Sequence, residues 1–149
     1  MKREEKFPST DCFKFYNANP KNRYIDDCVI RAISTALNQS WEDTYREMVE
    51  LGIEYGGLAT SDNTINRYLE SKGWVKHKQF KKYDGTKYRG AEFCNWLKGT
   101  CYHNVIANIG TYHMVAIVEG VIYDTWNSSD GVVGNFWTNL KDSQNPIKI

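Results

Sequence analysis

The sequence predicts an α+β domain in which N-terminal helices pack on a C-terminal antiparallel β-sheet. Three observations predict it. Between Asp27 and Gly99, apolar residues recur at helical spacing in four segments separated by glycine or capping residues. From Cys101 onward the period drops to two, in runs rich in β-branched and aromatic residues that each close on a turn former. A length of 149 residues, 41% of them hydrophobic and 14% aromatic, closes one core and makes a second domain an unneeded assumption.

Residues 1–21 are polar, carry Pro8 and Pro20 and show little periodicity, so they read as an extended N-terminal segment. Within it Cys12, Phe13, Phe15 and Tyr16 form a short strand or a packed arm. The first helix runs from Asp27 to Asn38, with Val29, Ile33, Ala36 and Leu37 on one face. Asp26 or Asp27 caps its free amides, and Asn38 ends it. The second opens at Ser40, with Asp43 three residues on as capping-box partner and Trp41, Tyr45, Met48 and Val49 as its stripe. Gly52 and the pair Gly56-Gly57 stop it. The third begins near Thr60 or Ser61, passes Ile65, Tyr68 and Leu69, and meets Gly73 at the C′ position.

The basic, glycine-punctuated stretch WVKHKQFKKYDGTKYRG then holds one short strand and a turn at Asp84-Gly85. A fourth helix spans Ala91 to Lys98, puts Phe93, Trp96 and Leu97 on one side, and ends at Gly99. CYHNVIANIG, TYHMVAIVEG and VIYDTW read as three consecutive antiparallel strands. NSSDG is a loop of turn formers, and VVGNFWTNL adds a last strand.

Composition narrows the function. A net charge of +1 gives no overall field that would recruit nucleic acid or an anionic membrane surface. The opening MKREEKFPST is polar, and no apolar run approaches the roughly 18 to 20 residues of a membrane span, so no membrane partner is expected and a cytoplasmic setting is. Cys12, Cys28, Cys94 and Cys101 make no disulfide framework at their spacings. No cofactor is expected.

Cys28 stands out because it follows two aspartates at the start of a helix. A thiol there feels the positive end of the helix dipole, which favours the thiolate, although the aspartates oppose it unless one is turned away as the cap. A general base is available downstream. If Glu119-Gly120 is a two-residue hairpin turn, Val118 pairs with Val121 and Val115 with Asp124. His113 and Asp124 then share a face as diagonal neighbours, with backbones roughly 7 to 8 Å apart. A carboxylate so placed holds one imidazole nitrogen and aims the other outward. The amide of Cys28, and the side chain of Asn22 six residues upstream, are candidate donors to an oxyanion.

A helix-borne Cys near the N-terminus, an amide side chain six residues before it, and a His followed by an Asp on neighbouring strands together resemble the papain-like cysteine peptidase superfamily. The likeness is to its compact bacterial branches, such as the peptidase domains that process bacteriocin leaders. It implies a papain-like fold, a bacterial or phage setting, a peptide or protein substrate, and an acyl-enzyme mechanism. It also implies Cys28 as nucleophile, His113 as general base and acid, Asp124 as orienting group and Asn22 as oxyanion donor. Asn22 is one methylene shorter than the Gln common at that position in the family, and Val29 follows the cysteine where plant and lysosomal members carry C-G-[SA]-C-[WY].

Other readings stand beside this one. An acyltransferase or deamidase would use the same residues, and a papain-like binding module would use the cleft without the chemistry. His77 lies in the basic stretch and reads as part of a solvated face, and the lysines from Lys76 to Lys87 interleaved with Phe80, Tyr83 and Tyr88 are the one passage suited to single-stranded nucleic acid. Near-neutral net charge weighs against that use. Cys94, Cys101 and His103 do not match common zinc spacings. Trp41, Trp74 and Trp126 are core or cleft aromatics, and Asn108 is a weaker alternative to Asp124 as the partner of His113.

Overall fold

The chain is described by a computed structural model over residues 1–139 and Lys141. Leu140, the end of the last expected strand, lies outside these described residues. Within them the order is α1 (Arg3–Lys6), β1 (Phe13–Phe15), α2 (Cys28–Leu37), α3 (Trp41–Tyr55), α4 (Asp62–Ser71), β2 (Val75–His77), α5 (Gly90–Lys98), β3 (Asn104–Ile109), β4 (His113–Val118), β5 (Val121–Asp124) and β6 (Val133–Thr138). The class is α+β. Among the described residues no helix is long and apolar enough to cross a membrane.

The helices end where local chemistry ends them. Asn38 closes α2 in the left-handed region at φ 52°, which Asn tolerates better than most side chains. The Ser40 hydroxyl accepts the Asp43 amide at 3.0 Å to open α3, and the Ser61 hydroxyl accepts the Thr64 amide at 3.4 Å to open α4. Gly52 does not stop α3, contrary to the expectation. It lies inside the helix, where a Cβ would stand 2.7 Å from the Gly57 carbonyl oxygen, so its role is to admit the returning loop. Gly56, at φ 69°, is the actual C-cap. The short helix α1 has no periodic signature and was not expected.

The strands form one sheet in the order β1-β5-β4-β3-β6-β2. The meander from β3 to β5 is antiparallel as expected, and β6 returns antiparallel along the other side of β3. The sheet is nevertheless mixed, because β1 pairs in parallel with β5 in the register Phe13 to Ile122. Phe13 is wholly buried, so docking this strand removes a full aromatic side chain from water, worth about 2 to 3 kcal/mol.

Helices cover both faces of the sheet. Ile106, Met114, Ala116 and Trp137 join Ile33, Met48 and Leu69 in one apolar cluster, while the alternate residues Val105, Ala107, Val115 and Ile117 join Phe93 and Leu97 of α5 in another. This two-sided burial explains why β3 and β4 are apolar along almost their whole length. Against the first face lies α2, buried at every position from Ile30 to Ala36, with its N-terminus directed at the start of β4.

Candidate active site

The hairpin between β4 and β5 fixes the base. Glu119 and Gly120 form its two-residue turn with φ 53° and 72°, both left-handed, and Val118 pairs with Val121. A side chain at Gly120 would also strike the Cys94 carbonyl oxygen on α5. Continuing the register from Ala116 and Tyr123 puts Val115 opposite Asp124. The diagonal contact follows, with His113 Nε2 2.5 Å from Asp124 Oδ2. Asp124 is buried and His113 half-buried.

Cys28 is the first residue of α2 and is partly exposed. The His113 ring and the Met114 amide stand near enough to its sulfur to influence its ionisation. Since Nε2 is engaged by Asp124, the nitrogen facing sulfur is Nδ1. Burial pushes the Cys28 thiol up, but the His113 hydrogen bond, the Met114 amide and the charges of His113 and Arg31 outweigh it and leave the thiol below its ordinary value. Burial alone would push His113 down, whereas its hydrogen bonds with Asp124 and Cys28 and their negative charges raise it to about 9. These opposite shifts move proton affinity from the sulfur to the ring and so favour a thiolate beside an imidazolium.

Asn22 does not belong to this group. It is exposed, with a left-handed backbone at φ 52°, its amide donates to the Asn19 carbonyl, and its side-chain oxygen accepts from Asn17 at 3.4 Å. Spacing put it six residues before Cys28, but it is bound into the turn at Asn19 to Asn22 and is not among the residues that line the cleft.

The aspartates also act differently from expectation. Asp27 occupies the N-cap position but makes no side-chain cap bond. Its carboxylate is buried and binds Arg31 Nε at 2.8 Å, the Trp41 indole N–H at 2.9 Å and the Asn19 amide at 3.3 Å. Its charge is therefore answered by a cation. Asp26 is exposed on the rim of the cleft. Arg31, which the sequence reading passed over, also binds Asp124 Oδ1 through Nη1. The available signal was a guanidinium one turn beyond Cys28, four residues after Asp27, among otherwise uncharged helix positions.

A cavity of about 1000 Å³ opens above Cys28 and His113. Tyr24 and Ile25 line it from the segment before α2, Tyr112 from the β3–β4 turn, and Arg3 from α1. Trp126 forms another part of its wall, its ring centroid 4.6 Å from that of His113. Asn108 lines the cavity too, but it opposes Met114 rather than His113, because Gly110 to Tyr112 make a three-residue connection.

The remaining histidines lie elsewhere. His77 is not on a solvated face: its Nε2 is 2.8 Å from the Thr138 hydroxyl and its ring stacks on Phe136 at 4.7 Å. His103 Nδ1 is 2.7 Å from Glu119 Oε1. Among the described residues no group of three or more His, Cys, Asp or Glu side chains is arranged to hold a metal ion. No family model, no curated protein and no solved structure matches the chain.

Proposed function

We propose that the chain is a papain-like thiol hydrolase that cleaves an amide bond of a peptide or protein through an acyl-enzyme on Cys28. One observation carries the reading: a partly exposed thiol at the first residue of a helix touches an imidazole whose far nitrogen is held by a buried carboxylate. The breadth of the cleft and its apolar rim of Tyr24, Ile25 and Tyr112 favour a polypeptide segment over a small solute.

The reaction starts from the thiolate. Cys28 Sγ bonds to the substrate carbonyl carbon while the π pair moves to oxygen, and the Cys28 amide, a first-turn donor with no intrahelical acceptor, donates to that oxyanion. His113 gives its Nδ1 proton to the amide nitrogen as the C–N bond breaks and the amine departs. Water then bonds to the acyl carbon and loses a proton to Nδ1. The C–S bond breaks, releasing the acid and restoring thiolate and imidazolium. Trp126 packs on one side of the ring and Asp124 fixes its tilt, so Nδ1 stays on the line between sulfur and leaving group.

The test is labelling by a peptide bearing an electrophilic acyloxymethyl ketone, followed by incubation with a peptide library and mass spectrometry. The expected result is selective modification of Cys28 at pH 6, its loss in His113→Ala, and new peptide termini in the library. Labelling of Cys28 no faster than of the exposed Cys101 would remove the nucleophile. A gain of about one mass unit at Gln, without new termini, would identify a deamidase instead, and joined peptides an acyltransferase.

A further inference from the structure

Arg31 lies one turn beyond the nucleophile on α2, 8% exposed. A guanidinium so buried cannot shed its charge and must find acceptors. It finds two carboxylates, Asp27 through Nε and Asp124 through Nη1. The bonds on Asp124 are divided between its oxygens. Oδ1 takes Arg31 and the Thr125 amide, the latter at 2.7 Å, while Oδ2 takes His113 at 2.5 Å. Two donors on one oxygen set the carboxylate plane and leave the other oxygen free for the imidazole. On the far side, Asp27 Oδ2 is anchored by Trp41 and Asn19. A line of alternating charge thus runs from Asp27 through Arg31, Asp124 and His113 to Cys28.

We propose that Arg31 is the positioning residue of this site, fixing Asp124 against His113 and, with its charge tempered by Asp27, setting how readily Cys28 ionises. The inference rests on the thiol-hydrolase reading. Two effects follow from the geometry. Removing the cation frees Asp124 to rotate and strips positive potential from the sulfur, which disfavours thiolate. Neutralising Asp27 leaves the cation and its grip on Asp124 in place but removes the opposing charge, which favours thiolate. The other charged groups facing the cleft are Arg3 from α1, Asp26 before α2 and Asp62 from α4, with the phenols of Tyr24 and Tyr112, and these are common to all variants.

The experiment is the pH dependence of Cys28 alkylation by iodoacetamide in the full chain, read on the Cys28 peptide by mass spectrometry. Arg31→Met should move the acid limb up by about one pH unit and Asp27→Asn move it down by about half a unit. A merely structural ion pair predicts lower melting temperatures and an unmoved limb in both variants, which would overturn the inference while leaving the nucleophile intact. Where Arg31→Met does not fold, Asp27→Asn decides alone: a limb that stays or rises overturns the proposal. Wild-type Cys28 alkylating no faster at pH 6 than the exposed Cys101 removes the thiol-hydrolase reading, and this inference with it.

Discussion

Cys28 and Cys94 are the same residue in opposite surroundings. Cys94 sits inside α5, wholly buried, its thiol donating weakly to the Cys12 carbonyl at 3.9 Å. Burial pushes it up to about 12, so it stays a thiol at every physiological pH. Cys28 is also partly buried, and burial is likewise the largest single influence on it. The difference lies in what stands opposite. Cys28 has an imidazole and a guanidinium nearby, whereas Cys94 has apolar side chains, the Cys12 carbonyl and only weaker help from Lys98 and the Ile122 amide. Burial leaves a thiol inert where no positive group stands close enough to outweigh it.

Exchanging the two residues by mutation breaks the comparison most sharply. Cys28→Ala should lower amide turnover by at least about 10³-fold, while Cys94→Ala leaves it within about twofold, measured as kcat/KM on a cleaved peptide. His113→Ala should cost nearly as much as loss of Cys28, because the proton for the leaving amine has no other source. Asp124→Asn should cost on the order of 10²-fold, since the amide still accepts a hydrogen bond but no longer favours the imidazolium.

The pH profiles should diverge next. His113 is raised to about 9, so hydrolysis, which needs the Nδ1 proton, falls as pH rises through about 9. Alkylation of Cys28 needs only thiolate and continues upward through the same range. Parallel declines of the two rates would show that the alkaline limb belongs to another group. Stability carries the same sign. The raised value stabilises the fold fully below about 6.5, the ordinary histidine value, and that contribution drains away between there and about 9. His113→Ala should flatten the melting temperature across that window, after allowance for its constant offset. The smallest effect belongs to the inert thiol: Cys94→Ala should destabilise by about 1 kcal/mol through the small void it leaves, seen in urea unfolding.

Legibility in the sequence followed the range of the interaction. Ser40, Ser61, Asn38 and Gly56 marked helix ends because caps act within a few residues. Glu119-Gly120 fixed a register, and the register delivered His113 to Asp124 without any knowledge of the rest of the chain. Gly52 misled because a glycine inside a helix and one ending it look alike until the returning loop is in place. The parallel pairing of β1 was hidden for a related reason, since its partner lies at the other end of the chain. Asn22 was assigned by distance along the chain, and the backbone between Asn19 and Cys28 turns away from the straight path that distance assumed. Arg31 was overlooked because apolar spacing alone already accounted for its helix.

The parallel strand also bears on the order in which the candidate site assembles. The Tyr16 amide, just past β1, donates to the Asp124 carbonyl at 2.8 Å, so the carboxylate-bearing residue beside the imidazole is tethered to the segment that precedes α2. A ribosome delivers β1 and α2 before β4 and β5. During that interval a nascent polypeptide carries its thiol with no proton acceptor beside it. Topology alone thereby withholds the pairing of thiol and imidazole until these strands have docked.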